Sequence, residues 1–135
     1  MWCIGDGAGL TTGIAGLYSG AGTLLGFTGS QATAWETATA APVQLSLTAE
    51  ATNSLTDLVP GLYWVAILAA GTTMPSFSQA PGAANTGNSL TNGRIASSAV
   101  ARYATNGSGL SALPTSITPS GFTQAHVAAW WAGIH

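Results

Sequence analysis

The chain has 135 residues, of which 47% are hydrophobic and only 4% are charged, whereas about 25% are charged in ordinary soluble domains. This length suits one domain, and we expect a single domain over residues 1–135. Two arginines and no lysine cannot neutralise a phosphate backbone, which argues against nucleic acid as a partner. The longest apolar run, 62–70, is far shorter than the roughly 20 residues of a membrane-spanning helix, which argues against membrane insertion.

The scarcity of charge has two explanations. One is a neutral secreted domain, and the other is a subunit whose surface is largely contact with further subunits. A net charge of −2 gives an isolated monomer little electrostatic protection from association. We therefore favour the subunit of an assembly.

The first residues, MWCIGDGAG, lack a basic region followed by an apolar core, so we expect no signal peptide. The stretch MWCIG has the pattern of the middle of a strand, which favours a fragment of a longer chain or an N-terminus packed against something. Cys3 is the single cysteine, which excludes an internal disulfide and a cysteine-based zinc site. It is most simply a small buried side chain.

Clusters of Gly, Pro, Asn and Ser recur about every ten residues and separate short segments rich in β-forming residues, a pattern typical of an all-β sandwich or barrel. This pattern alone fits a sandwich and a barrel equally. In chain order, the first predicted elements are an opening strand 1–4, a hairpin of strands 13–19 and 23–29, a loop or short edge segment 32–38, an alternating strand 42–48 and a strand 61–68.

The second half of the chain is less regular. Its predicted elements are a Gly- and Pro-rich loop 71–92, a strand or short helix 94–104, a tight turn 106–107, an extended segment 111–122 and a C-terminal segment 125–135. Loops as long as 71–92 are uncommon in compact domains and are usually functional. The segment 125–135 fits a helix or a strand, and we favour a strand because Gly133 lies so near its end.

The stretch GLYWVAIL, residues 61–68, is apolar on both sides when it is placed in a strand. A strand with one solvated face alternates apolar and polar residues, so this pattern predicts that both faces are covered. We expect one face to pack on the sheet of strand 42–48, and the other to meet the segment 125–135 or a symmetry mate. The predicted subunit-interface residues are Tyr63, Val65, Ile67, Trp130 and Trp131.

The sequence offers few groups for catalysis. Its two histidines, His126 and His135, are not spaced as a ligand pair, and its four acidic residues are scattered. The glycines of 20–26 do not match a dinucleotide fingerprint and fit a hairpin turn better. We therefore expect no catalytic residues, no metal site and no cofactor, and we expect the protein not to be an enzyme.

Five tryptophans remain as candidate contact residues. Exposed tryptophans stack on sugars, although buried aromatic side chains in cores and interfaces are the more common case. Trp64 fits the core better. Trp35, beside Glu36 in the predicted loop 32–38, is the best candidate for glycan binding.

Taken together, three groups of residues resemble the C-terminal β-sandwich domains of virion proteins of tailed bacteriophages that infect actinobacteria. The matching positions are Leu17, Tyr18, Gly22, Leu24 and Thr28 in the first group, Leu58, Pro60, Gly61, Tyr63, Val65 and Ala66 in the second, and Leu113, Pro114, Ser116 and Ile117 in the third. These motifs consist of turn and core residues and extend over most of the chain.

The resemblance implies an all-β, antiparallel, jelly-roll-like β-sandwich that forms a homotrimer on the virion surface, in contact with other virion proteins. The chain would be a capsid decoration protein, a head fibre or a minor tail protein, either as a compact subunit or as the head domain of a longer polypeptide. The resemblance implies no catalytic residues for this chain. The alternative is a glycan-binding receptor-recognition module of the phage tail, with its site at Trp35 and the loop 71–92.

Overall fold

The computed structural model describes residues 2–4, 7–37, 41–75, 103–105 and 107–125. Strands dominate this part of the chain, so the all-β prediction is confirmed at that level. The strands are β1 (Trp2–Ile4), β2 (Ala8–Ser19), β3 (Leu24–Phe27), β4 (Ala41–Val43), β5 (Thr48–Ala49), β6 (Tyr63–Thr73), β7 (Tyr103–Thr105) and β8 (Thr123–Ala125). The helices are α1 (Ala32–Thr37) and a 3-10 turn (Pro119–Gly121).

The main sheet is antiparallel, with the strand order β5-β3-β2-β6. Strand β2 pairs with β6 over nearly its full length, from Ala8 opposite Thr73 to Ser19 opposite Tyr63. Strands β2 and β3 form the hairpin that the sequence predicted, with β2 starting earlier than expected. Two smaller antiparallel pairs, β1 with β4 and β7 with β8, complete the described strands.

Helix α1 covers one face of the main sheet, where the sequence predicted a loop or an edge segment. Two hydrogen bonds fasten it to β2: the Gln31 N–H donates to the Gly13 carbonyl at 2.6 Å, and the Leu10 N–H donates to Glu36 Oε1 at 2.5 Å. Gly13 permits this close approach, because a Cβ atom there would lie 2.9 Å from the Trp35 ring. The prediction for 32–38 was therefore wrong, since a six-residue helix is too short to show a periodic pattern.

The core under α1 centres on Ala15 and Trp35, whose side chains are 1% and 0% exposed. Partly buried hydrophobic residues pack around this pair: Leu10, Ala34, Leu45, Ile67 and Ala69. Thr28 is also fully buried, and it exchanges two hydrogen bonds with Ala15. The core therefore joins strand β2, the end of β3, helix α1 and β6.

The opposite face of the sheet is covered by the segment 113–122. Its backbone bonds to the β2–β3 hairpin, since Leu24 N–H donates to the Thr115 carbonyl at 2.9 Å. The buried Tyr18 hydroxyl donates to the Pro114 carbonyl at 2.7 Å. Gly16 leaves room for Leu113, whose side chain would collide with any Cβ at that position. This irregular segment thus provides the second layer of β2.

Two predicted segments differ from the structure. The segment 42–48 is not one strand, because the chain leaves β4 after Val43 and forms β5 only at Thr48. The predicted alternation of inward and outward side chains is still present, since Leu45 and Leu47 are half-buried and their neighbours are exposed. The predicted strand 61–68 starts later and runs on to Thr73, so the first residues of the predicted loop 71–92 belong to β6.

Other predictions for the second half lie mostly outside the described residues. That applies to the rest of the loop 71–92, to most of 94–104 and to nearly all of 125–135. Within 111–122 the backbone forms one isolated bridge, Thr23 to Ser116, and the 3-10 turn.

Candidate functional site

Three of the five exposed large hydrophobic residues in the described part of the chain lie close together in sequence, where β6 begins. Val59 is 72% exposed, Leu62 65% and Val65 38%. We call residues 59–65 the β6 entry. Single exposed hydrophobic residues are ordinary on protein surfaces, whereas several large ones in one short segment are typical of a contact surface.

The conformation of the β6 entry is set by a hydrogen bond across its turn. The Tyr63 hydroxyl donates to the Val59 carbonyl, four residues upstream, at 2.5 Å. This bond is similar in geometry to the tyrosine corner, in which a tyrosine near the start of a strand bonds back to the backbone a few residues upstream. This bond holds the turn at Pro60 and Gly61, and it leaves Val59 and Leu62 on the surface.

Trp64 anchors the β6 entry to the face of the sheet opposite α1. Its Nε1–H donates to the Gly20 carbonyl at 3.3 Å. Its ring meets Phe122 edge to face, with 5.7 Å between ring centroids and an interplanar angle of 87°. Edge-to-face pairs of this kind add stability beyond the area that they bury. The β6 entry is therefore fixed at both its turn and its first strand residues.

The β6 entry carries no charged side chain. The nearest acidic residue in sequence is Asp57, whose carboxylate accepts hydrogen bonds from Ser54 Oγ at 3.2 Å and Thr56 Oγ1 at 3.3 Å. A partner would therefore meet an apolar, uncharged surface bordered by small hydroxyl side chains. Such a surface binds through shape and apolar contact rather than through ion pairs.

The residues that the sequence predicted as a subunit interface have different environments in the structure. Val65 is exposed, and Tyr63 is half-buried with its hydroxyl engaged by Val59. Ile67 packs against the Ala15–Trp35 core on the α1 side, so that part of the strand face is covered within the chain itself. Trp130 and Trp131 lie outside the described residues. An interface at this end of β6 would thus involve Val65 rather than Ile67.

Trp35, the predicted glycan-binding residue, lies in the core. Its side chain is 0% exposed, and it projects from α1 onto Gly13 and Ala15 of β2. Sugar stacking needs an exposed ring face, and this ring has none. The loop placement was wrong because the helix turns Trp35 inward, whereas the sequence shows only a polar neighbour, Glu36.

The sequence did not single out Val59, Leu62, Met74 or Leu110 as exposed, although all four are. A signal for the first two was available, because turns at Pro-Gly pairs run over the surface. The sequence assigned Leu62 to a strand face instead, since it continues the alternation of 61–68. Nothing in the sequence indicates that Met74 or Leu110 is exposed.

Within the described residues, no three His, Cys, Asp or Glu side chains lie together in a way that could hold a metal ion. In the same part of the chain, no helix is long and apolar enough to cross a membrane. Both histidines lie outside the described residues. The chemistry that the β6 entry itself offers is apolar contact and backbone hydrogen bonding.

Comparisons with known protein families, with curated proteins and with solved structures find no match for this chain. They therefore add no support to the resemblance to phage virion domains, which stays a prediction.

Proposed function

We propose that the protein is a structural subunit of a homo-oligomeric assembly and that the β6 entry is part of its contact surface. One observation carries this proposal: Val59, Leu62 and Val65 are 72%, 65% and 38% exposed within seven consecutive residues that bear no charge. Burying such side chains against a partner is favourable by about 25 cal/mol for each Å² of apolar surface removed from water.

The composition of the whole chain supports the same proposal. Soluble monomers resist association with abundant surface charge, and this chain has six ionic side chains in 135 residues, two basic and four acidic. In an assembly, such an uncharged surface is buried in contacts between subunits. The protein would act through its shape and position, and we propose no enzymatic activity for it.

The finer assignment is an antiparallel, jelly-roll-like β-sandwich on the surface of a tailed-phage virion, in a homotrimer with other virion proteins as neighbours. The bond from Tyr63 to Val59 supports the sandwich, because it is similar in geometry to the tyrosine corner of such domains. The virion location and the three-fold symmetry rest on the sequence resemblance. Locating the subunit at a capsid or tail position in an intact virion would test both together.

The assembly is tested by measuring the mass of the full chain in solution, by sedimentation velocity and light scattering at micromolar concentration. We expect a discrete oligomer. The double variant Val59→Ser/Leu62→Ser should weaken it, because both side chains are exposed and their replacement leaves the fold of the subunit intact. Leu110→Ser is the matched control, since Leu110 is also exposed but lies outside the β6 entry. A wild-type chain that stays monomeric at every micromolar concentration measured would overturn the proposal.

A second candidate is a glycan-binding module of the receptor-recognition apparatus of a phage tail. The supporting observation is Trp64, which is half-buried rather than enclosed and lies beside Phe122 among uncharged residues. Binding on a glycan array that Trp64→Ala abolishes and Leu110→Ala preserves would favour this candidate. Equal binding by both variants would exclude Trp64 as the stacking residue.

A further inference from the structure

We propose that the outer edge of β6 pairs antiparallel with the same edge of a second copy of the chain. The pairing would join the two four-stranded sheets into one continuous sheet. This inference rests on the proposed assembly and specifies the surface and the symmetry of one of its contacts.

The first argument is the position of β6 in the sheet. Among the described strands β6 pairs with β2 on one side and with none on the other. It is 11 residues long, so its outer side presents a long row of backbone N–H and C=O groups. Such a row is a template for another strand, and strand addition at an exposed edge is an established mode of protein association.

The second argument is a contrast between the two edges of the same sheet. Proteins protect edge strands by keeping them short, by placing lysine or proline on them, or by bulges that twist the edge away. The opposite edge, β5, has two residues and is protected by its shortness. Strand β6 has neither a charge nor a proline. The bulge in the β2–β6 ladder, between Leu10 and Thr12, adds a residue to β2 and not to β6. Strand β6 therefore has no bulge of its own to protect its edge.

The third argument identifies a second copy as the partner. The first half of β6 is rich in large side chains, Tyr-Trp-Val-Ala-Ile-Leu, and the second half has only small ones, Ala-Ala-Gly-Thr-Thr. Antiparallel pairing of two β6 strands about Leu68 places large residues opposite small ones, with Val65 opposite Gly71 of the other copy. No like charges meet in this register, since β6 has no charge.

This contact has two-fold symmetry about an axis normal to the sheet, so both α1 helices would lie on the same face of the joined sheet. Val65 and Gly71 are both exposed in the single chain, and the pairing brings them together. The contact is isologous. Alone it gives two copies, and combined with the proposed three-fold contact it gives six, as two trimers joined through their β6 edges. It therefore predicts oligomers with an even number of copies, whereas a three-fold contact alone gives three.

The experiment compares the full-length wild type with Val65→Lys and Leu110→Lys. Both positions are 38% exposed and each variant adds one positive charge, so the pair is matched in exposure and chemistry. A lysine on an edge strand opposes strand addition. We expect an even-numbered oligomer for the wild type and for Leu110→Lys, and an association at least about tenfold weaker for Val65→Lys, which corresponds to about 1.4 kcal/mol.

Hydrogen exchange of the wild type provides a second measurement that needs no variant. Amides of β6 should become more protected as the protein concentration rises, while those in the middle of β2 should not change. An oligomer that is equally stable in Val65→Lys, with β6 exchange independent of concentration, would overturn the edge pairing and leave the assembly standing. An odd-numbered oligomer would overturn the two-fold geometry. A monomer in which the β6 amides that point away from β2 are already protected would show that the chain covers its own edge, and both proposals would fall.

Discussion

Strands β2 and β6 lie side by side and are alike in length and in lacking charge, yet their environments differ. They have 12 and 11 residues, and neither contains a charged side chain. In β2 four consecutive residues, 15–18, are buried, which means that both faces of the strand are covered. Every residue of β6 remains at least partly exposed. An apolar pattern on both faces of a strand therefore does not determine whether those faces are enclosed by the chain itself.

The difference arises from what lies around each strand. Strand β2 has a hydrogen-bonded neighbour on each side, helix α1 on one face and the segment 113–122 on the other. Strand β6 shares the same two layers only in part: Ile67 contacts the core beneath α1, and Trp64 contacts Phe122. We conclude that, among the described residues, β2 is the structural centre of the fold and β6 is the more exposed of the two strands.

The comparison is tested most strongly by Trp35→Ala, which should remove about 3–5 kcal/mol from the free energy of unfolding, because it leaves a large cavity between α1 and β2. Urea denaturation followed by far-ultraviolet circular dichroism measures this loss. Trp64→Ala is the matched variant in β6 and should cost clearly less, since its side chain is only half-buried. A larger loss for Trp64→Ala than for Trp35→Ala would refute the central role of β2.

Thr28→Val should cost about 1–3 kcal/mol, although it preserves the shape of the side chain. Thr28 Oγ1 accepts a hydrogen bond from the Ala15 N–H at 3.0 Å, and valine leaves that buried N–H without an acceptor. Thr28→Ser retains the acceptor and should lose only the contribution of one methyl group, about 1 kcal/mol. The midpoint of urea unfolding would rank the three proteins. Equal stability of the valine variant and the wild type would show that this hydrogen bond contributes nothing.

Tyr18 should make the stability of the fold depend on pH in the alkaline range. Burial raises the pKa of its hydroxyl from 10.0 to about 12, so the folded state holds this proton more tightly than the unfolded state does. The contribution to stability is complete below pH 10 and is lost as the pH rises through about 12. Denaturation at several alkaline pH values should show this decline in the wild type.

Tyr18→Phe is the control for this pH dependence. It removes the hydrogen bond to the Pro114 carbonyl and should lower stability near neutral pH by about 1–2 kcal/mol. The decline above pH 10 should become shallower in this variant, because the titrating group is gone. An unchanged alkaline decline would show that Tyr18 is not its cause.

The sequence predicted the parts of the fold that depend on local patterns. The hairpin of β2 and β3 was predicted from a Gly-rich turn between two apolar segments, and the apolar faces of 61–68 correctly indicated a strand. The partners of those faces could not be predicted. Helix α1 packs on β2 through Trp35, which lies over Gly13, and no periodicity in the sequence links these two residues. The layer 113–122 is irregular and contains two prolines, so no pattern marked it as a cover.

The same limit applied to the candidate site. Tyr63, Val65 and Ile67 share one side of the predicted strand, and alternation alone assigned all three to an interface. The structure distinguishes them through contacts that depend on distant parts of the chain, since Ile67 meets the core formed by Ala15 and Trp35. The exposure of Leu62 could not be predicted for the converse reason, because alternation does not distinguish an apolar strand residue from an apolar residue just before the strand.

The smallest expected effect is that of Val65→Ala, which is compared with Leu17→Ala at a single cross-strand pair of β2 and β6. Leu17 and Val65 lie opposite each other in the β2–β6 ladder, yet they are 2% and 38% exposed. Leu17→Ala should cost about 2–5 kcal/mol, and Val65→Ala should cost less than about 1 kcal/mol when it is measured on the dissociated chain. If Val65→Ala becomes more costly as protein concentration rises while Leu17→Ala does not, the exposed surface of Val65 is buried by association. Equal costs at every concentration would mean that β6 is as enclosed as β2, and the distinction between the two strands would be lost.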